Sequence, residues 1–367
     1  MATVLQGSVR KAGNRLRIAV QLVSVSDGYH LWSERFDREL TDVFAVQDEI
    51  AAAISAKLQV TFVPPAQPVG KATTAEVEAF ELIAKGRALL AQRGARLLAA
   101  RECFERAIAL TPDNADAYAL LGDTLVNMVR YALLPVAPTL PLAKAALARA
   151  LALDPIHAEA MGALALVSLF LERDPDAARG WWERALELQP RLSEVRAVYA
   201  VNLLYWMKRD EERVLSELAR AVADDPLSAN CAGMNSALLA LTGHAAAAMA
   251  EATRSQALDP NSFIAAYGRV VAFVNSDTPE GAIAAVNDAM ARFGRNPIFT
   301  GLLVQAYLKA GDLRRAEAAY AELLARSEID VVSRGALASA ASSLGRADDA
   351  VRFALESVER CDAANPL

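Results

Sequence analysis

The chain of 367 residues is longer than one compact core usually supports, so its length favours two or three domains or one elongated array. Its formal net charge of −6 argues against a nucleic-acid partner, because phosphate binding needs a concentrated positive surface. Three cysteines, Cys103, Cys231 and Cys361, lie far apart in the sequence. This spacing argues against a disulfide framework and favours a reducing, cytoplasmic compartment.

The first 62 residues have a β-type pattern that the rest of the chain lacks. Arg15–Leu22 alternates apolar and polar residues, which predicts a half-buried strand. Val4–Val9 and Tyr29–Phe36 predict a strand before it and a strand after it, the latter following a turn at Asp27-Gly28. A helix from about 42 to 58 is predicted next, because apolar residues recur every four positions along it, at Val46, Ile50, Ile54 and Leu58.

Three segments of this region carry a resemblance to a known domain: GSVRKAGNRLRI, HLWSERFDREL and FAVQDEIAAAI. They resemble the latter half of a TolB-like (FlgO-like) amino-terminal domain. The resemblance implies a position between an effector domain and a repeat array in a bacterial signalling protein. The effector of that family is commonly a class III adenylate cyclase, a winged-helix transcription regulator or a Ser/Thr protein kinase.

The first strand and helix of that domain family have no counterpart after Met1. We therefore expect a truncated product, a mis-assigned start or a gene split. Three strands and one helix make a marginal core, and an unpaired strand edge invites another strand. The sequence thus predicts self-association, or pairing with a partner's strand, through the incomplete domain at residues 1–62.

A Pro/Gly-rich linker over 63–78 precedes a helical region over 79–367. The phrases TPDN, LDPI, LQPR, DDPL and LDPN recur in phase there, and each contains a proline that ends a helix. Small and large apolar residues precede four of these prolines in register, at Ala143, Leu147 and Ala150; Ala178, Trp182 and Ala185; Val214, Leu218 and Ala221; and Ala248, Ala252 and Ser255.

This pattern resembles the tetratricopeptide repeat (TPR), a helix pair of about 34 residues. The resemblance implies a mainly α fold, a right-handed TPR α-solenoid of about eight helix pairs. A small α/β remnant, a three-stranded antiparallel meander plus one helix, would precede it. Stacking of neighbouring pairs would bury the apolar faces, with large residues such as Phe104 and Trp182 as anchors.

No catalytic, cofactor or metal signature is found in the sequence. His30, His157 and His244 have no second histidine or cysteine at metal-ligand spacing, and phosphate-loop, nucleophile-elbow, cyclase and kinase motifs are absent. The paired acids Asp224-Asp225 and Asp348-Asp349 fit helix caps better than catalysis. We therefore expect a protein that is not an enzyme, although an enzyme with an unrecognised site stays a third alternative.

The concave face of such an array is the remaining candidate site, since the first helix of each pair lines it. Counting along six of these first helices, from the second pair to the seventh, places two residues of each helix on that face: Asp123, Asn127, Leu166, Phe170, Val201, Tyr205, Ala237, Leu241, Val271, Asn275, Gln305 and Lys309. The set is mostly apolar and lacks a clustered Lys/Asn clamp for a carboxylate. An amphipathic helix or apolar extended segment suits it better than an acidic tail. The alternative is that Phe170, Val201 and Tyr205 only fill the space between helices.

Two functions remain open from the sequence. The first is a non-enzymatic scaffold that binds a protein or peptide partner in the concave groove, without a nucleic-acid partner or a membrane span. The second is a sensory or regulatory arm of a signalling protein whose effector domain lies outside this chain. The longest apolar stretch, Met161–Leu171, is about half the length that a bilayer span needs.

Overall fold

The computed structural model describes residues 3–12, 15–24, 30–39, 49–50, 53, 73–131, 133–208, 210–327 and 334–359. Contacts divide the chain into two units, Met1–Leu82 with Ala109–Pro112, and Ile83–Ile108 with Asp113–Leu367. The predicted turn at Asp27-Gly28, most of the predicted helix over 42–58 and the linker residues 63–72 lie outside the described residues.

The first unit contains the predicted three-stranded antiparallel meander. Strands β1 (Thr3–Ala12), β2 (Arg15–Ser24) and β3 (His30–Glu39) follow one another in the sheet in the order β1-β2-β3. Partners such as Val9 and Ile18 fix the register of β1 on β2, and an irregularity follows Leu22 in the pairing with β3. The prediction of the meander is confirmed.

A small core lies on one face of this sheet. Val20 and Phe36 are buried, and Ile18 and Trp32 pack against them. Ile50 and Ala53 pack there too, so these two residues of the predicted helix contact the sheet. On the opposite face, the Arg17 guanidinium donates to Asp37 at 2.9 Å. This ion pair lowers the pKa of the Asp37 carboxyl.

The described residues after 72 form sixteen helices in eight consecutive pairs, here α1 to α16, which confirms the predicted number of pairs. Two helices, Ala158–Leu166 and Ser193–Tyr199, continue as π-helical segments over Val167–Leu171 and Ala200–Lys208. The helices are α1 (Thr74–Gln92), α2 (Arg96–Leu110), α3 (Ala115–Arg130), α4 (Val136–Leu153), α5 (Ala158–Leu166), α6 (Pro175–Leu188), α7 (Ser193–Tyr199), α8 (Glu211–Asp224), α9 (Ala229–Leu241), α10 (Ala245–Leu258), α11 (Phe263–Val274), α12 (Pro279–Phe293), α13 (Pro297–Lys309), α14 (Leu313–Arg326), α15 (Arg334–Ser343) and α16 (Ala347–Glu359).

Helix α1 begins inside the stretch that the sequence analysis assigned to the linker. Thr73 and Glu76 form a reciprocal capping box: the Thr73 N–H donates to Glu76 Oε2 at 2.7 Å, and the Glu76 N–H donates to Thr73 Oγ1 at 3.2 Å. Residues 74–78 are therefore helical rather than part of a flexible linker. The domain boundaries themselves stay a prediction.

A second difference concerns the Pro/Leu-rich stretch Tyr131–Pro141, which the sequence pattern indicates as an insertion. Helix α4 begins at Val136 and contains Pro141, whose ring removes one backbone donor from the helix. Thr139 Oγ1 donates to the Pro135 carbonyl oxygen at 2.7 Å and so satisfies a group at the start of this turn. The inserted residues thus lengthen the second helix of the pair.

Recurring polar residues shape the turns between pairs. Asp154, Asp225 and Asp259 follow the second helices α4, α8 and α10, and each carboxylate accepts from the N–H two residues later, at 2.8–3.1 Å. Such a side-chain turn replaces a backbone turn and ends the helix. Gly311 takes the positive φ of 73° in the turn between the two helices of the seventh pair, and Asp312 caps α14.

Small residues allow the helices to approach closely, as the sequence pattern predicts. A Cβ added at Gly86 would lie 2.5 Å from Phe104 Cε1, so this position leaves no space for a side chain. Phe104 and Trp182 are each 0% exposed. Gly233 and Gly268 bring the backbones of α9 and α11 together, since a Cβ at Gly268 would lie 2.4 Å from the Gly233 carbonyl oxygen.

One helix among the described residues, Val136–Leu153, is long and apolar enough to cross a membrane by length and composition alone. In this structure it is α4, and Ala143, Leu147 and Ala150 are fully buried. Arg149 on the same helix pairs with Asp113 at 2.9 Å. A core helix of a repeat pair passes the same test.

Candidate functional site

The predicted groove residues separate into buried and accessible sets. Six apolar or aromatic side chains are buried: Leu166, Phe170, Val201, Tyr205, Ala237 and Val271. Asn275 and Lys309 are exposed, while Leu241 and Gln305 are half-buried. Lys309 Nζ donates to the Val274 carbonyl oxygen at 2.9 Å and joins α13 to α11. The two fully exposed positions of the predicted groove are therefore polar.

Three of the predicted groove residues lie in the π-helical segments. The Glu172 N–H donates to the Val167 carbonyl oxygen at 3.0 Å, five residues back. A π-helical turn holds more residues than an α-helical turn, so the faces of α5 and α7 shift beyond Leu166 and Tyr199. Positions counted with a period of 3.6 then no longer point in one direction. Phe170, Val201 and Tyr205 lie in these segments and are buried.

A cavity of about 340 Å³ lies on the inner side of helices α1, α3, α5 and α7. Its wall includes three predicted groove residues, Asp123, Asn127 and Leu166. Val201 and Ala237 border a second, smaller cavity of about 50 Å³, and Gln305 borders a third of about 30 Å³. The remaining groove residues border none of these three.

Charged side chains line much of the wall of the 340 Å³ cavity. The residues that the sequence analysis places on the concave face are, by contrast, mostly apolar. Four guanidinium groups and four carboxylates contribute to the cavity wall, at Arg87, Arg93, Arg130, Arg191, Asp123, Glu159, Glu194 and Asp225. Arg87 Nη1 donates to Glu159 Oε1 at 3.1 Å, so these two charges form an ion pair. Burial raises the pKa of Asp123, the Arg93 guanidinium opposes that shift, and Glu194 reinforces it.

Arg93 lies in the turn between α1 and α2 and reaches across the interior of the array. Its backbone has the positive φ of 59°, which few residues other than glycine adopt. The guanidinium donates to the Leu90 carbonyl oxygen and to Glu194 Oε2 of α7, both at 2.9 Å, and lies 3.9 Å from Asp123 Oδ2. Burial lowers the pKa of Arg93, but Glu194 and Asp123 outweigh it and the pKa is raised.

Asn230 of α9 extends this contact toward the later pairs. Its Nδ2 donates both to the Ala91 carbonyl oxygen and to Glu194 Oε1 at 3.0 Å, and its Oδ1 accepts from Ser262 Oγ at 2.9 Å. Asn230 is 3% exposed. The first turn of the array is thereby bonded to residues 139 positions further along the chain.

Aromatic rings close the same region on the other side of the turn. Tyr131 and Phe263 contact edge to face with ring centroids 5.0 Å apart, and Phe263 and Phe299 lie 4.8 Å apart. A Cβ at Gly94 would lie 3.3 Å from the Phe263 ring, in close contact. The turn Leu90–Gly94, here called the inner turn, therefore occupies the interior that the sequence analysis assigns to a partner.

Arg130 differs from Arg87 and Arg93, the two arginines of the cavity wall that form ion pairs. Its Nη1 donates to Asn127 Oδ1 at 3.1 Å, and its guanidinium lies 5.1 Å from the centre of the Phe170 ring. Its buried Nε has no hydrogen-bond partner, and none of its nitrogens forms an ion pair among the described residues. Burial lowers the pKa of Arg130, and the neighbouring Arg93 lowers it further.

A separate cluster joins the first three pairs at Asp116, His157 and Glu159, whose potential ligand atoms lie within 4.8 Å of one another. The Ala160 N–H donates to His157 Nδ1 at 3.3 Å, so Nε2 carries the proton that is donated to Asp116 Oδ1 at 2.9 Å. Arg87 pairs with both carboxylates. With both ring nitrogens engaged and a guanidinium between the acids, the cluster works as a helix cap and an ion-pair network.

Arg93, Asn230, Arg130 and His157 were not identified as site residues from the sequence. Each acquires its role from residues on other helix pairs, which no local motif indicates. The phrase QRGA, which contains Arg93 and Gly94, indicates a turn. It gives no information about the contact between Arg93 and Glu194. A polar residue on an otherwise apolar first helix, such as Asn230 in ANCAGM, is the one usable signal.

Comparison with known proteins agrees with this architecture. The family model described as tetratricopeptide repeat matches residues 83–132, 140–193 and 302–366. These three segments are similar to tetratricopeptide repeats. Among solved structures, the APC/C hetero-tetramer Cut9–Hcn1 matches with a TM-score of 0.55 and 17% identity, over 78% of this chain and 52% of that chain. At this identity the likeness shows the fold, a TPR-type α-solenoid.

A curated relative connects part of the chain to cyclase-type proteins. The putative adenylate cyclase 3 of Rhizobium meliloti (strain 1021) is 37% identical over 121 residues, which are 32% of this chain and 21% of that protein. The match thus spans about a fifth of the length of the relative. The resemblance of residues 1–62 to a TolB-like domain stays a prediction.

Proposed function

We propose that this chain is a non-enzymatic protein-interaction scaffold that binds a helix or extended segment of a partner protein. The eight consecutive helix pairs, of which three segments match the tetratricopeptide-repeat model, carry this proposal, because repeat arrays present long surfaces rather than one reactive centre. The partner segment would lie along the first helices of the later pairs.

The accessible predicted positions define where that contact would form. Asn275 at the end of α11 and Lys309 at the end of α13 are exposed, and Gln305 lies one turn before Lys309. The inner turn fills the interior beside α7, α9 and α11, so the earlier pairs leave little room for a partner helix. Recognition would therefore depend on polar contacts more than the sequence alone suggests.

A charge reversal with a matched control tests this proposal. A partner would first be isolated with the full chain as bait and then titrated against purified variants. We expect Lys309→Glu to weaken its affinity by about tenfold or more, since rim charges steer and orient partners. Arg314→Glu makes the same change of charge on the second helix α14 and should leave the affinity unchanged. Equal affinity for both variants and the unaltered chain would contradict the proposed surface.

A second candidate function is the regulatory arm of a signalling protein such as an adenylate cyclase, winged-helix regulator or kinase. The 37% identity to a putative adenylate cyclase supports it, because the matched part is a minor share of that longer protein. The genomic DNA before Met1 tests it. An in-frame effector domain would support the arm, whereas a stop codon followed by a ribosome-binding site would count against it.

We also propose that the small sheet associates with another strand. Strands β1 and β3 are both edges among the described strands, and edges attract pairing. Sedimentation of the full chain with limited proteolysis tests this: a monomer whose residues 1–62 resist protease would contradict it. A cytoplasmic location remains part of the proposal and is testable by cell fractionation.

A further inference from the structure

One half-buried guanidinium in the wall of the 340 Å³ cavity, that of Arg130, forms no ion pair with the described residues. Arg87 is paired with Glu159 and Asp116, and Arg93 with Glu194 and Asp123. Arg130 has only the neutral Asn127 amide as a hydrogen-bond partner and the Phe170 ring beneath it. A guanidinium has five N–H donors and no acceptor, so only an acceptor-bearing group can satisfy it.

A half-buried guanidinium without an ion pair is less favourable than a paired one, because partial burial removes water from a charge that has no hydrogen-bonded counter-charge. Its long stem and the Phe170 contact hold Arg130 in place, so it cannot simply turn into solvent at no cost. An anion in the cavity would remove this penalty. The volume falls within the range of small-molecule pockets, and the wall combines apolar and polar groups as such pockets do.

We propose that this cavity binds a small organic anion, whose carboxylate or phosphate group accepts hydrogen bonds from the Arg130 guanidinium. Asn127 would orient the guanidinium, since the Asn127 Nδ2 is itself fixed on Asp123 Oδ1 at 2.9 Å and the Asn127 Oδ1 faces Arg130. Asp123 and Glu194 on the same wall disfavour a highly charged ligand, so the anion carries a low net charge. The site is independent of the proposed protein partner.

Trp182 also belongs to the wall of this cavity, but its indole nitrogen is buried behind the surface that a ligand would contact. It is 0% exposed, and its indole N–H has no hydrogen-bond partner among the described residues. Buried indole N–H groups usually have a partner. The proposal requires Arg130 alone, and Trp182 serves as a nearby fluorescent reporter.

Thermal unfolding of the full chain in sodium phosphate, sodium acetate and sodium chloride at equal ionic strength tests the proposal. We expect phosphate or acetate to raise the Tm in a saturable manner, by about 3 °C at tenfold excess over the dissociation constant, and chloride to have no such effect. Calorimetric titration with the effective salt checks binding directly. A rise with phosphate alone assigns a phosphoryl group, and a rise with acetate alone assigns a carboxylate.

Variants separate this site from a general salt effect. Arg130→Met keeps the stem and removes the donors, and its Tm should not respond to either anion. Arg130→Lys keeps the charge without the planar donors and should retain a weaker response, which keeps the test valid if the methionine variant does not fold. Arg184→Met, at an exposed position outside the cavity, should respond as the unaltered chain does. No saturable rise in the unaltered chain, or an equal rise in Arg130→Met, would overturn the proposal.

Discussion

Trp182 shows how the repeat pattern determines the packing of a single side chain. It is fully buried on α6, and its ring centroid lies 5.6 Å from that of Tyr199 on α7. A large ring at this position fills the space that the small residues Ala178 and Ala185 leave on either side of it along the same helix. The alternation of small and large residues thus fixes how two consecutive pairs stack.

Replacement of Trp182 by alanine tests this packing. The substitution removes a buried ring and leaves a cavity, so we expect the free energy of unfolding to fall by about 3–5 kcal/mol. Denaturant unfolding measures it, with Trp181→Ala as the neighbouring control, since Trp181 is only partly buried and should cost less. A loss below about 1 kcal/mol for Trp182→Ala would contradict the packing described for this residue.

The cap of α5 shows how an element depends on its neighbours. His157 accepts from the first turn of α5 through Nδ1 and donates to Asp116 of α3 through Nε2. Burial lowers the pKa of His157, but the hydrogen bond and charge of Asp116 outweigh it, and the pKa is raised. The pKa of Asp116 is lowered by the same bond and by Arg87.

A pH series on His157→Asn tests the link between the two elements. Asparagine can accept the bond from Ala160 but cannot carry a charge, whereas His157 gains its charge by giving up the bond that its Nδ1 accepts. Because the folded pKa of His157 is raised, its extra stabilisation is complete below the unfolded pKa of about 6.5 and is lost as pH rises through the folded pKa. The stability difference between the unaltered chain and the variant should therefore narrow on going from acidic to alkaline pH.

A variant that removes the acid partner provides the control for this series. With Asp116→Asn as the background, His157→Asn should show a much weaker pH dependence, because the carboxylate that raises the pKa is gone. Unfolding by urea at a set of pH values between 5 and 8 is the measurement, since this interval brackets the unfolded pKa of about 6.5. A difference that widens with pH would contradict the assignment of the Asp116 contact.

Individual elements were largely predictable from the sequence, because their signals are local. The period of the apolar residues and the turn phrases predicted eight helix pairs, and the alternation in Arg15–Leu22 predicted the meander. The start of α1 was missed because the capping box Thr73-x-x-Glu76 lies inside a stretch that reads as a linker by composition. The π-helical segments were missed because nothing in their apolar pattern distinguishes them from α-helix.

The candidate site was mostly unpredictable, and the reason is sequence separation. Asp123 and Asn127, which a count along one helix selects, border the cavity. Asn127 contacts Arg130 on its own helix, but the contacts of Arg93 with Asp123 and Glu194 depend on how the pairs stack. A pattern with a period of one repeat contains no information about contacts three pairs apart.

At the scale of the second unit, the inner turn decides what the array can bind. A TPR-type solenoid with an empty interior presents its first helices to a partner, but here Arg93 and Asn230 bond the first turn to α7 and α9. The nearest-neighbour character of repeat stability is therefore broken at this point, since the first pair contributes directly to pairs four and five. We propose the first helices of the later pairs as the surface for a protein partner and the cavity as the site for a small anion.

A double-mutant cycle between Arg93 and Glu194 tests this closed interior most directly. The cycle comprises the unaltered chain, Arg93→Met, Glu194→Gln and the double variant, with the free energy of unfolding of each measured in urea. If the inner turn contacts α7 as described, the two substitutions are coupled by about 1–2 kcal/mol, because the partners form one buried network. If the effects add without coupling, the inner turn does not close the interior and the account is wrong.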